Sequence, residues 1–166
     1  MTQQKSGLVP GILIGLVAML VGAGVHGAVI GVTEYNLGIV AVLVGMLVGL
    51  GVTAVKPSSA VLPSLAALFG LVGAALGTTI GVIALTVKDA PGTGYVTAAR
   101  TVVTQFDRVI QADPVVALFW VISAVAAFAF VNKRVKAVRA ARAEAVQTPP
   151  AAAPQEPVDL FTPRNR

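Results

Sequence analysis

The 166-residue chain contains no cysteine, a single histidine, a single tryptophan and few charged residues. The absence of cysteine excludes disulfides, thiol nucleophiles and cysteine-ligated metals. Charged residues make up 11% of the chain, against about 25% in an ordinary soluble domain. The chain therefore cannot cover a water-facing surface of ordinary size. Because 56% of its residues are hydrophobic, the composition predicts an integral membrane protein.

Four long apolar runs follow one another along the chain. A helix that crosses about 30 Å of hydrocarbon needs about 20 apolar residues. We therefore predict transmembrane helices at residues 8–32, 38–55, 60–87 and 114–131, none of which contains Asp, Glu, Lys or Arg. The first two form a hairpin around the polar turn at residues 33–37. The expected fold class is an all-α membrane protein, a membrane domain of four transmembrane helices (residues 8–131) built as two hairpins.

An amphipathic segment separates the third and fourth runs, and we predict one surface helix over residues 95–112. Its apolar positions recur at helical spacing: Val96, Ala99, Val102 or Val103, Phe106, Val109 and Ile110. The opposite face is too polar to cross the membrane, so the helix is expected at the membrane surface or over the mouth of the bundle. Its two arginines are balanced by Asp107 and by Asp113, which directly follows the helix, and this argues against a polybasic lipid-binding helix.

The basic residues are concentrated after the last apolar run, at Lys133, Arg134, Lys136, Arg139 and Arg142. Cations at this position hold a helix end in the cytoplasm and favour anionic lipid headgroups over nucleic acid. With Lys5 and Lys56 on the same side, the pattern predicts a multi-pass protein of a bacterial plasma (inner) membrane with both termini cytoplasmic. We expect a cytoplasmic N-terminus (1–7), a basic juxtamembrane helix (132–147) and a disordered Pro/Ala-rich tail (148–166).

Glycines recur at four-residue spacing in the apolar runs, at Gly27, Gly31, Gly45, Gly49, Gly73, Gly77 and Gly81. Glycines four apart share one helix face and let a partner backbone approach closely. Two interpretations stay open, tight packing within the chain and a homo-oligomer interface. Residues 27–32 also resemble residues 77–82, one hairpin later, as in a parallel repeat.

His26 is the only ionisable residue inside an apolar run. An intramembrane ionisable residue is by default a functional hypothesis, although an imidazole can also simply bind a backbone carbonyl. Glu34 lies about two turns beyond it near the membrane edge, so His26 and Glu34 form the candidate polar site. Thr78 and Thr79 are expected to donate to carbonyls of the preceding turn. The sequence contains no nucleophile–base pair, metal-ligand set or phosphate loop, so we predict no enzyme, no metal and no cofactor.

Residues 33–52, TEYNLGIVAVLVGMLVGLGV, resemble the TGYEIGWVAWGVGALVGF-like stretch of a group of uncharacterised small bacterial membrane proteins. In that group a four-helix chain ends in an aromatic-rich last helix, to which residues 113–120 are similar. The likeness covers the first hairpin and the last helix, and it departs at Asn36, where the group often has an acid. It implies the four-helix membrane fold and no particular activity.

Two function classes remain once a membrane enzyme, the weakest hypothesis, is set aside. The first is a non-enzymatic protein that scaffolds or modulates a membrane complex through its surface helix and tail. The second is a small oligomeric channel, transporter or holin-like pore former assembled through glycine faces. Apolar runs without Asp, Glu, Lys or Arg argue against an ion-coupled transporter. The expected partners are the lipid bilayer and either another membrane protein or further copies of the chain, with no nucleic acid.

Overall fold

A computed structural model describes residues 8–54 and 61–147. In this part of the chain all the regular structure is helical: α1 (Leu8–Thr33), α2 (Gly38–Ala54), α3 (Leu62–Asp89), α4 (Tyr95–Thr104), α5 (Phe106–Ala112) and α6 (Pro114–Gln147). The predicted N-terminal segment 1–7, the residues 55–60 around Lys56 and the predicted tail 148–166 lie outside the described residues.

Three helices, α1, α3 and α6, are long and apolar enough to cross a membrane. The fourth apolar helix, α2, has 17 residues and a length of about 25 Å at 1.5 Å per residue. The predicted apolar runs therefore all form helices, and the class of helical membrane protein is supported. The predicted basic helix 132–147 is helical as well, and it continues the fourth run without a break as the second half of α6.

The four long helices form a bundle in which α2 and α3 lie between α1 and α6. Each of the two central helices contacts both outer ones, whereas α1 and α6 do not contact each other in the described residues. The order of contacts shows that α1 and α3 run parallel. Gly11 faces Leu62 near the start of both helices, and Gly31 faces Ala84 near their ends.

Glycines bring the helix backbones together at several crossings. A Cβ added to Gly45 in α2 would lie 2.2 Å from the carbonyl oxygen of Ser123 in α6. A Cβ added to Gly27 in α1 would lie 3.0 Å from the carbonyl oxygen of Gly77 in α3. All seven glycines singled out in the sequence face atoms of another helix of the same chain. In this structure they serve packing within the chain.

The two similar segments 27–32 and 77–82 lie side by side along the α1–α3 interface. A Cβ on Gly77 would lie 2.6 Å from the ring of His26, and one on Gly81 would lie 2.5 Å from the Cβ of Ile30. The four-residue glycine spacing of α3 thus makes room for the larger side chains of α1. This is the small-residue packing expected between helices in a membrane.

The surface segment differs from the single helix predicted for residues 95–112, because it is divided at Gln105 into α4 and α5. α4 packs along α3, and α5 packs against α6. Two residues of the predicted apolar stripe, Val96 and Val103, do not pack on the bundle and are 83% and 64% exposed. The buried residues of α4 are instead Ala98 and Val102, because the small Ala98 side chain lets α4 approach α3.

Candidate functional site

Three polar side chains are buried in the bundle, His26 in α1, Thr78 in α3 and Ser123 in α6. Burying a polar group away from water is costly unless it forms a hydrogen bond. Each of the three finds a partner on a neighbouring helix. The sequence singled out His26 for its chemistry, whereas the part played by Thr78 and Ser123 follows only from the packing.

Thr78 is the centre of a cluster that joins three helices. Its Oγ1 lies 3.1 Å from the carbonyl oxygen of Ala74, one turn earlier in α3, as the sequence predicts. The indole Nε1 of Trp120 in α6 donates to the same Oγ1 at 3.2 Å. The Nε2 atom of His26 lies 3.4 Å from it. Thr79 makes the other predicted bond, to the carbonyl oxygen of Ala75 at 2.8 Å.

The hydrogen bonds of this cluster assign the protons. A hydroxyl has one proton and two lone pairs, and Thr78 gives its proton to the Ala74 carbonyl. Its two lone pairs then accept from Trp120 Nε1–H and from His26 Nε2–H, so the hydroxyl is fully used. In a neutral ring with the proton on Nε2, Nδ1 is an acceptor, and it is buried without a hydrogen-bond partner among the described residues. The other tautomer would bury an unpaired N–H instead, which is the more costly arrangement.

Trp120 connects this cluster to the surface helices. Its ring stacks on Phe106 in α5, with ring centroids 5.7 Å apart and planes inclined by 12°. Phe106 and Ile110 pack against the buried group formed by Ala41, Ala74, Val116 and Trp120. A continuous set of contacts therefore runs from α5 through Trp120 and Thr78 to His26 in α1.

Ser123 makes a second polar link between α3 and α6. Its Oγ donates to the carbonyl oxygen of Gly70 at 3.1 Å. The same residue faces Gly45 of α2, whose added Cβ would lie 2.2 Å from the Ser123 carbonyl oxygen. Ser123 therefore fixes the register of α6 against both central helices.

Glu34 does not join His26, although the sequence placed both in one candidate polar site. It follows the last residue of α1 with a φ of 61°, and its carboxylate forms a salt bridge with Lys88 near the end of α3. The hydrogen bond and the positive charge of Lys88 lower the pKa of the Glu34 carboxyl below its usual value. Both side chains are exposed, so this pair ties the ends of the parallel helices at the surface.

The basic half of α6 is the second candidate site. All five predicted headgroup cations lie on it, Lys133, Arg134, Lys136, Arg139 and Arg142. Arg134 and Arg142 line a groove of about 580 Å³ between this half of α6 and the end of α2. Small side chains form much of the groove, among them Ala137, Ala141 and Ala145.

The described residues contain no group of three or more His, Cys, Asp or Glu side chains that could hold a metal ion. The fold and the two sites define a helical membrane protein with a polar cluster inside its bundle and a basic groove at one end. Comparison of the chain with protein-family models, with curated proteins and with solved structures finds no match.

Proposed function

We propose that the protein is a non-enzymatic integral membrane protein that scaffolds or modulates a membrane complex. The proposal includes four membrane spans, with both termini on the cytoplasmic side of a plasma (inner) membrane. The observation that carries it is the length of α6, which runs without a break from Pro114 to Gln147. Its apolar and basic halves are therefore one rigid element.

The dimensions of α6 support a surface presented outside the membrane. Residues 114–131 measure about 27 Å at 1.5 Å per residue, close to the thickness of the hydrocarbon. Residues 132–147 extend the helix by about 24 Å. A few cations near the end of a span are enough to set its topology. They do not require a helix that continues far beyond the membrane, so the extension of α6 needs another explanation.

The groove-lining residues of α6 lie on the same face of the helix as the residues that pack in the bundle. Val131 and Val135 are buried within the bundle, and farther along the helix Val138 and Ala141 line the basic groove instead. Small side chains allow a second backbone to approach closely, and the arginines complement acidic residues. The groove therefore suits an acidic segment of a partner protein.

The test is site-specific photo-crosslinking in intact membranes. A photoreactive residue at Ala141, which lines the groove, should form a crosslink to one protein at close to stoichiometric yield. The same residue at Ala143, on the other side of the helix, should not. Crosslinks of equal yield from both positions, or crosslinks to lipid alone, would contradict the proposal.

A charge-matched pair of variants tests the groove itself. Arg134→Gln with Arg142→Gln should abolish the crosslink, because both cations line the groove. Lys133→Gln with Lys136→Gln removes the same charge from positions outside the groove and should leave most of the crosslink. Equal losses in the two double variants would show that only the overall charge of the helix matters.

The alternative is a small oligomeric channel, transporter or holin-like pore former. It is favoured by the buried Nδ1 of His26, which has no hydrogen-bond partner in the part of the chain that the structure describes, because proton pathways use such intramembrane groups. In addition, Gly24 has no neighbouring atom within 4 Å of an added Cβ, so a small face of α1 is open to a second copy. Ion or proton flux in liposomes that is abolished by His26→Gln would favour this class over a scaffold.

A further inference from the structure

A groove lies where the surface helices meet the end of α3. α4 contacts α3 and α5 contacts α6, whereas α5 and α3 do not contact each other in the described residues. The gap between them has a volume of about 280 Å³. Since a water molecule occupies about 30 Å³, the groove has room for roughly nine water-sized groups.

The groove has an apolar side and a polar side. Val82 of α3, Val102 of α4 and Val109 of α5 provide the apolar side. The polar side includes Gln105, at the break between the surface helices, and Arg108 of α5. A ligand that matches both sides carries an apolar chain and a polar group that accepts hydrogen bonds.

Arg108 is the strongest donor in the groove. Its Nη1 donates to Gln105 Oε1 at 3.3 Å, which positions the guanidinium group, and in the described residues it forms no salt bridge. The hydroxyl protons of Thr86 and Thr101 are used in bonds to the carbonyls of Val82 and Thr97, at 2.8 and 3.0 Å. A phosphate suits the remaining guanidinium N–H groups, because, like a carboxylate, it accepts two of them at once.

We propose that this groove binds one anionic phospholipid, with the phosphate at Arg108 and an acyl chain along Val82, Val102 and Val109. A lipid is favoured over a soluble phosphate because Val82 and Thr86 lie near the end of a helix apolar enough to span the membrane. At that level the headgroups of a bilayer adjoin its hydrocarbon. A soluble phosphate would leave the apolar side of the groove in water.

Native mass spectrometry of the full chain, released from vesicles of equal phosphatidylglycerol and phosphatidylcholine, tests the proposal. The unmodified protein should retain one phosphatidylglycerol in preference to phosphatidylcholine. Arg108→Gln should lower the retention of phosphatidylglycerol by about tenfold, as expected for the loss of a charge-assisted contact. The preference should fall with it, because in phosphatidylcholine the choline cation already offsets the charge of the phosphate. Arg100→Gln removes the same charge from an exposed position outside the groove and should leave the preference unchanged. An unchanged preference in Arg108→Gln would overturn the proposal.

A second variant tests the apolar side. Ala112 is exposed and lines the groove, so Ala112→Phe should fill the groove and lower the retention of both phospholipids by about tenfold or more. Unaltered retention in this variant would overturn the placement of the acyl chain.

Inorganic phosphate at millimolar concentration should not displace the lipid. Displacement would assign the groove to a soluble phosphate ligand and overturn the proposal.

Discussion

The indole Nε1 of Trp120 donates a hydrogen bond to the hydroxyl of Thr78 at 3.2 Å, and this bond joins the last helix of the bundle to the third. Trp120 is the only tryptophan of the chain. Its fluorescence therefore reports directly on the polar cluster, and on the stacked ring of Phe106, with no correction for other indoles.

Thr78→Val should destabilise the bundle by about 2–6 kcal/mol. The substitution keeps the shape of the side chain but leaves the N–H groups of Trp120 and His26 buried without an acceptor, at about 1–3 kcal/mol each. Thr79→Val is the matched control, because the Thr79 hydroxyl bonds only its own helix at Ala75, and it should cost less than about 1 kcal/mol. Unfolding in mixed detergent micelles measures the stability of both variants. Equal losses of stability would contradict the role of Thr78 as the shared hydrogen-bond acceptor of the cluster.

Phe106→Ala should release α5 from the bundle and leave the four long helices in place. The ring of Phe106 stacks on Trp120, so its removal should shift the Trp120 emission to the red. The local opening free energy of α5 should fall by about 1–3 kcal/mol, seen as faster amide exchange over residues 106–112. Val103→Ala, at a position that is 64% exposed, should change neither reading. Strong exchange of these residues in the unmodified protein would show that α5 is not held by this contact.

Gly45→Ala should be among the most damaging small substitutions, lowering stability by about 3 kcal/mol or more. Its Cβ would lie 2.2 Å from the backbone carbonyl oxygen of Ser123, so α2 and α6 would have to move apart. Gly24→Ala is the control, because nothing lies within 4 Å of its added Cβ. It should be neutral or stabilising by up to about 1 kcal/mol, through helix propensity. Similar melting temperatures of the two variants in detergent would contradict the close approach of α2 and α6 at Gly45.

The Glu34–Lys88 salt bridge should make the adjoining C-terminal ends of α1 and α3 sensitive to acid. Lys88 lowers the pKa of Glu34 from an ordinary value of 4.5. The stabilising effect is therefore complete above pH 4.5, and it is lost as the pH falls through the lower pKa of the folded protein. A spin label at Asn36 should become more mobile in acid at low salt, and Glu34→Gln should give the mobile spectrum at every pH. Since the pair is exposed, salt should weaken the response.

The packing function of the glycines could be predicted in part from their spacing. Four-residue repeats place Gly73, Gly77 and Gly81 on one face of α3, and that face does pack within the chain. The sequence did not identify the partner side chains, because helices separated by a hairpin can meet in several registers. His26 lies opposite Gly77 because α1 and α3 pack in one particular register.

The sequence predicted the surface segment as one helix and did not decide which of its apolar residues pack on the bundle. Val96 and Val103 satisfy the helical period as well as Ala98 and Val102 do, so periodicity alone does not choose between them. The choice is made by α3, against which the small Ala98 is fully buried, and by the break at Gln105 that turns Phe106 toward Trp120.

The sequence by itself determined the membrane class, the order of the apolar helices along the chain and the position of the basic cluster. These properties depend on hydrophobicity, charge and chain length, which act residue by residue along the chain. Only the tertiary structure decided that Thr78 binds Trp120 and His26, and that Glu34 pairs with Lys88 instead of His26. A hydrogen bond needs two atoms within about 3.5 Å, and for residues 42 or 54 positions apart only the packing of the helices sets that distance.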